Sequence, residues 1–159
     1  EDALLDAKTR NYLTAVFLHG ASGSPRAALA STDISTGECE IGEVDMSDIA
    51  GELVRLSPRE VLIPDNALSD PALTKWIEIA GGKARPVPAQ YFDSSSGERA
   101  LKAALNVKEL GGFGSFERGE LAAAAALLKY IDLTQMGRKP LLRAPKKSGR
   151  GSVLCIDAA

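Results

Sequence analysis

The first 44 residues alternate between apolar runs and short polar breaks, a pattern typical of a β-meander. Residues 11–19 form a nearly continuous apolar run, which predicts a central strand buried on both faces. A second run, residues 27–34, and a third, residues 38–44, follow after short breaks. In the third run Cys39 and Ile41 alternate with acidic residues, as expected of a strand with one buried face. Short loops between consecutive strands predict antiparallel pairing.

The two breaks predict two different loops. Residues 20–25 are glycine-rich, as in a phosphate-binding loop, but no Lys-Ser/Thr pair follows and the next segment is a strand, so a hairpin loop is favoured. The second loop lies within residues 32–38. There Gly37 is expected to take the left-handed conformation, and Asp33 and Ser35 to hydrogen-bond the turn backbone. This stretch is therefore predicted to be a tight hairpin that sets the strand register.

After residue 45 the apolar spacing changes to that of helices. Ile49, Leu53 and Leu56 fall on one helical face, Ser47 is the predicted N-cap, and Pro58 ends the helix. The next predicted elements are a strand over residues 60–63, a helix over 71–80, an edge strand over 83–88 and a helix over 96–105.

The order of these elements predicts an α/β fold. A strand that follows a helix that follows a strand implies a crossover and parallel pairing. The strand over 83–88 is placed at an edge because Pro86 and Pro88 cannot donate hydrogen bonds to a ladder. Three antiparallel strands followed by helix, strand, helix and edge strand correspond to a ribonuclease-H-like mixed sheet of about five strands with flanking helices.

The helix over 96–105 is predicted to have an apolar and a charged face. Leu101, Ala104 and Leu105 are expected to face inward. The opposite, solvent-facing positions carry Glu98, Arg99 and Lys102.

A glycine-rich segment, residues 111–114, is the predicted domain boundary. After it, residues 120–135 form an alanine-rich stretch with high helix propensity. An irregular basic segment, 138–150, and a short strand, 152–156, are expected to follow. The predicted organisation is a lead-in linker at 1–8, a domain at 9–112, and the truncated start of a second domain at 113–159.

Charge is unevenly distributed along the 159 residues. Residues 1–137 carry thirteen Lys and Arg against twenty Asp and Glu, whereas residues 138–159 carry six against one. The body of the chain is therefore a poor match for a polyanion, and the basic tail is a better one. The chain has only eight aromatic residues, so it offers few side chains on which the bases of a single strand could stack.

The cysteines and the terminus suggest a cytosolic piece of a longer protein. Cys39 and Cys155 both lie in apolar runs and are expected to be buried, reduced thiols. Two cysteines and one histidine do not favour a zinc site. No run approaches a membrane span, and the acidic start, Glu1-Asp2, is not a signal peptide. The missing initiator Met predicts a fragment.

A metal-dependent nuclease is the alternative function that this fold class raises. Two-metal hydrolysis needs clustered carboxylates, including one on the first strand, and residues 11–19 contain none. Asp33 and Asp65 remain and are interpreted as turn or cap residues. His19, the only histidine, has no nucleophile motif near it and is interpreted as a strand-end residue. No P-loop is present, so no ATP site is predicted here.

The basic tail leaves two interpretations open. Six basic residues between positions 138 and 150, among them Lys146, Lys147 and Arg150, could contact DNA phosphates non-specifically. The same residues could form a solvated loop. By elimination, a structural and protein-interaction domain without chemistry of its own is the leading hypothesis.

Several segments, in order, resemble the MutS family of DNA mismatch-repair proteins. Residues 33–38 (DISTGE) match a family signature. Similar segments are 1–7 (EDALLDA), 11–16 (NYLTAV), 56–64 (LSPREVLIP), 110–114 (LGGFG), 125–135 (AALLKYIDLTQ) and 156–159 (IDAA).

The resemblance implies a bacterial connector domain plus the start of the core or lever domain. The family protein is a cytoplasmic, nucleoid-associated, dimeric ATPase that recognises mismatched double-stranded DNA and recruits MutL. Its mismatch-reading domain would precede this chain, and its ATP and Mg²⁺ site would follow it. The family's MutL contacts map to Arg99 and Ala100 here, with neighbouring Glu98 and Lys102, and Ala100 departs from the polar residue of some members.

Overall fold

One mixed sheet organises the chain. The structure is a computed structural model that describes residues 11–20, 23–135 and 145–148. Within these residues the sheet has the strand order β5-β4-β1-β2-β3-β6. The strands are β1 Tyr12–His19, β2 Arg26–Asp33, β3 Cys39–Asp45, β4 Glu60–Pro64, β5 Lys83–Val87 and β6 Lys146–Ser148. The helices are α1 Ile49–Leu56, α2 Pro71–Ile79, α3 Ser94–Leu105 and α4 Arg118–Gln135.

Strand pairing confirms the predicted fold class. Strands β1, β2 and β3 form an antiparallel meander, with Tyr12 opposite Asp33 and His19 opposite Arg26. Strand β4 pairs in parallel with β1, and β5 in parallel with β4, as the crossovers require. Strand β1 is central, and its consecutive residues Ala15 and Val16 are both fully buried. The first five strands therefore form the ribonuclease-H-like sheet, with helices on both faces.

The two faces of the sheet bury different kinds of side chain. On one face α1 and α2 pack large aliphatic residues, including Leu53 and Ile77, against Val16 and Leu29. On the other face the core under α3 and α4 contains seven alanines, from the sheet and from α4, among larger side chains such as Leu62 and Phe92. Small side chains on both partners let a helix backbone lie close to the strands.

Helix α4 does not stand apart from the sheet. The sequence places it at the start of a second segment, residues 113–159, and in the structure four of its alanines share one core with Ala15, Ala28 and Ala30: Ala122, Ala123, Ala124 and Ala126. The alanine-rich stretch has its partner in the alanines of β1 and β2, which are distant in sequence. The long helix is confirmed, and its core is shared with the sheet.

Two helix starts differ locally from the predictions. Helix α1 begins at Ile49 after a 3₁₀ turn, Met46–Asp48, so Asp48 rather than Ser47 precedes it. Its end before Pro58 is confirmed, and Ser57 there adopts the left-handed conformation (φ 49°). Helix α3 begins at Ser94, two residues earlier than predicted, because Asp93 is its N-cap.

In the described part of the chain, none of the helices combines the length and apolar character needed to cross a bilayer.

Candidate functional site

The outer face of α3 holds three of the four predicted partner-binding residues. Glu98 and Arg99 are exposed, and Lys102 is half-buried. The Lys102 ammonium lies 2.9 Å from a Glu98 carboxylate oxygen, one helical turn away. The hydrogen bond to Glu98 raises the pKa of Lys102 above its ordinary value. Arg99 donates a 3.4 Å hydrogen bond to the Ser96 hydroxyl.

The cap of α3 keeps this face in place. Asp93 accepts hydrogen bonds from the Ser96 backbone N–H at 2.9 Å and from the Ser96 hydroxyl at 2.6 Å. These bonds hold the pKa of Asp93 below its ordinary value, and Arg99 and Arg118 add a smaller favourable field. These hydrogen bonds cap the first turn of α3, the turn that precedes Arg99.

The fourth predicted residue, Ala100, faces elsewhere. It lines an open groove of about 660 Å³ between α3 and α4. The α3 wall of this groove is formed by Ser96, Ala100, Ala103 and Ala104. Ala104 is exposed, so the prediction that it faces the core is wrong. Its methyl group belongs to the groove wall.

The α4 wall of the groove is not among the sites predicted from the sequence. It is formed by Ala125, Leu128, Lys129 and Asp132, with Ile131 at its base. The spacing i, i+3, i+4, i+7 places the first four on one helical stripe, and this periodicity was the available signal. The Lys129 ammonium lies 6.0 Å from the centroid of the Tyr91 ring, which also lines the groove.

A glycine sets where the groove begins. A Cβ on Gly97 would overlap the Leu121 carbonyl and lie 3.2 Å from the Ala125 side chain. Only glycine lets α3 and α4 approach this closely. Most of the groove-lining residues of both helices lie C-terminal to this contact, where the space between the two helices is left open.

The carboxylates that the nuclease alternative needs do not come together. Asp33 accepts hydrogen bonds from the backbone N–H groups of Ser35 (2.8 Å) and Thr36 (3.3 Å), which confirms its predicted turn role. Gly37 has φ 82°, as predicted. Asp33 lies opposite Tyr12 at the start of β1, whereas Asp65 follows the far end of the parallel strand β4. The two carboxylates therefore lie at opposite ends of the sheet. Within the described ranges no three His, Cys, Asp or Glu side chains are grouped to hold a metal ion.

His19 takes part in a structural contact at the end of β1. Its ring is partly exposed and pairs with the Glu43 carboxylate. Arg26 donates to the other oxygen of Glu43 at 3.1 Å. The ring also stacks on Phe17, and Gly119 at the start of α4 packs against it.

Part of the basic tail forms a strand. Lys146 and Lys147 lie on β6, which pairs in parallel with β3 and places Lys146 beside Glu40. Lys146 is exposed. The third proposed phosphate contact, Arg150, lies outside the described residues, as does the predicted strand over 152–156.

The strand order and the helices on both faces define a ribonuclease-H-like α/β domain. The family model for MutS domain II matches residues 11–143. DNA mismatch repair protein MutS of Rhizobium meliloti is 39% identical over 159 residues. The proteins of the same name from Cereibacter sphaeroides and Caulobacter vibrioides are 43% and 37% identical. Each alignment covers 100% of this chain and 17% of the relative. The chain belongs to the MutS family of DNA mismatch-repair proteins and spans about a sixth of the length of these relatives.

Proposed function

We propose that this chain is a non-catalytic connector that links the mismatch-recognition domain of a MutS protein to its core and ATPase, and that it docks MutL. The match to MutS domain II over residues 11–143 carries the proposal. In this scheme the dimer contacts, the binding of mismatched DNA and the ATP and Mg²⁺ site belong to other parts of a cytoplasmic, nucleoid-associated protein.

The surface of α3 supports the docking role. Glu98, Arg99 and Lys102 extend from one helix whose opposite side is anchored by the fully buried Leu101. A rigid helix with an exposed charged face suits a partner that must be bound and released, since rim charges mainly affect association rates and specificity.

Titration of the full-length protein with MutL tests the docking role. Arg99→Glu and Lys102→Glu are expected to weaken MutL binding about tenfold or more, which corresponds to about 1.4 kcal/mol. Lys75→Glu is the matched control, because Lys75 is exposed on α2 at the opposite face of the sheet. Unchanged MutL affinity in both α3 variants would contradict the docking surface.

The Asp33 carboxylate accepts a hydrogen bond from the backbone of its own turn, which supports a structural rather than a catalytic role for this residue. A magnesium-dependent nuclease would cleave DNA or RNA, and Asp33→Asn would abolish that cleavage. The connector proposal expects no cleavage by the wild type at any magnesium concentration. Cleavage that Asp33→Asn removes would favour the nuclease.

Phosphate contact through the basic tail is a second candidate, favoured by the exposure of Lys146 on the edge strand β6. Replacing Lys146, Lys147 and Arg150 by Ala is expected to weaken DNA binding by the full-length protein and to lower its salt dependence. An unchanged salt slope would leave the tail without a role in DNA binding.

A further inference from the structure

We propose that the groove between α3 and α4 receives a bulky apolar side chain of the docking partner, and that a carboxylate of the same partner segment pairs with Arg99. This inference rests on the proposed function, since it takes the outer face of α3 as the MutL docking surface. It adds the chemistry of the segment that binds there.

The shape of the groove calls for an apolar occupant. Its volume of about 660 Å³ falls within the range of clefts that bind small molecules, roughly 300–1,000 Å³. Methyl groups of Ala100, Ala103 and Ala104 on one side and of Ala125 on the other face this space, while Lys129 and Asp132 add one positive and one negative charge to the α4 wall. Alanine side chains end at Cβ, so they present apolar surface but leave the space between the helices unfilled. An apolar side chain that enters this space removes both surfaces from water.

The charged residues next to the groove favour a partner segment that carries a carboxylate. Glu98 and Lys102 form an ion pair with each other and so cancel most of each other's field. Arg99, beside them, donates to the neutral hydroxyl of Ser96. Asp93 accepts from the same Ser96 hydroxyl and offsets part of the positive charge of Arg99, but the bond to Ser96 uses only one of the five N–H donors of the guanidinium. A guanidinium binds a carboxylate in a two-pronged geometry that favours this pairing over a neutral partner.

The two requirements together describe an amphipathic segment. Ala100 and Arg99 are adjacent on α3, but Ala100 lines the groove while Arg99 is exposed on the outer face. A partner that straddles the helix can therefore place an apolar side chain in the groove and an acidic one beside Arg99. A helix laid along a groove presents side chains in this way. A basic segment would instead face the positive charge of Arg99.

Filling the groove tests its role in the full-length protein. In Ala104→Trp a large side chain occupies the groove from an exposed position, where it does not disturb the buried core. We expect MutL affinity to fall tenfold or more, with the thermal midpoint and the affinity for mismatched DNA unchanged. Ala72→Trp is the matched control on the exposed side of α2 and is expected to bind MutL like the wild type. If Ala104→Trp does not fold, Ala103→Leu takes its place with the same expected direction.

Variants of Arg99, compared with the groove-filling variants, distinguish failure of this inference from failure of the proposed function. Arg99→Glu is expected to weaken MutL binding more than Arg99→Ala, and the difference is expected to shrink as salt is raised. If wild-type protein binds no MutL, the proposed function and this inference both fall. If Arg99→Glu weakens binding but the groove-filling variants bind like the wild type, docking stands and the groove is not its site. Tighter binding by Arg99→Glu would overturn the acidic assignment.

Discussion

Gly97 of α3 lies directly against the backbone carbonyl of Leu121 of α4. A Cβ on Gly97 would overlap that oxygen and would be 3.2 Å from the Ala125 side chain. The contact brings α3 and α4 together over the face of the sheet that carries Ala15, Ala28 and Ala30. It also determines where the groove between them begins, so the stability of the domain and the shape of its candidate docking site depend on one small residue.

Gly97→Ala is expected to destabilise the chain by about 1–3 kcal/mol, the usual cost of forcing an extra group into a packed site. A backbone carbonyl cannot move away by a change of rotamer, so α3 or α4 must shift. The loss will exceed the gain of up to about 1 kcal/mol that alanine brings to a helix. Urea unfolding followed by circular dichroism measures the difference.

Gly51→Ala is the matched control for this substitution. Gly51 is also helical, is exposed on α1, and has open space where a Cβ would lie. The same change should be neutral there or stabilise by up to about 1 kcal/mol. Equal effects at positions 51 and 97 would mean that the α3–α4 contact is looser than the structure indicates.

The sheet could be predicted from the sequence because its signals are local. Alternation in β3, the prolines of β5 and the Asp33–Gly37 turn each act over a few residues, and the structure confirms them. Parallel pairing of β4 followed from the crossover rule, which leaves few topologies for that order of elements.

The position of α4 could not be predicted in the same way. Alanine favours helix formation but packs equally well against many kinds of surface. The composition of residues 120–135 therefore does not indicate which surface the helix packs against. That surface carries the alanines of β1 and β2, Ala15, Ala28 and Ala30, about a hundred residues away. Strand β6 is similar, since its three residues pair with the edge of β3 and have little strand character of their own. The groove lies between α3 and α4, so it could not be predicted without the position of α4.

The DISTGE hairpin should lose stability when its aspartate is removed. Asp33→Ala deletes the acceptor of the Ser35 and Thr36 N–H groups at a buried position and is expected to cost about 1 kcal/mol. Asp33→Asn keeps a side-chain oxygen and should cost less. Unfolding in urea compares the two. A loss as large for Asn as for Ala would show that the hydrogen bonds to the turn are not the cause.

Gly119 and His19 are expected to be energetically coupled. A Cβ on Gly119 would lie 2.7 Å from Cδ2 and 2.9 Å from Cε1 of the His19 ring. The ring is the free end of a partly exposed side chain and can turn away, at the loss of its pair with Glu43, so Gly119→Ala is expected to cost about 1 kcal/mol or less in the wild type. In a His19→Ala background the same change should be neutral or slightly stabilising. A double-mutant cycle measures this coupling, and equal effects in both backgrounds would contradict it.

Cys39 should make the domain less stable at alkaline pH. Burial, with a smaller effect from Glu40, raises the pKa of its thiol from 9.0 to about 12. Between these values the unfolded chain loses the thiol proton while the folded chain keeps it, so folding binds the proton and stability falls as pH rises. The contribution is complete below pH 9 and decreases by about 1.4 kcal/mol per pH unit above it.

Other groups also titrate in this range, so the prediction concerns the difference between the wild type and Cys39→Ala. At pH 8 the variant should be less stable, because it leaves a small cavity beneath β3. As pH rises toward about 11, this disadvantage should shrink and then reverse, since the variant has no thiol at position 39 to ionise. Urea unfolding at several pH values gives both curves. Parallel curves would mean that the Cys39 thiol ionises as readily in the folded chain as in the unfolded one, in conflict with its burial.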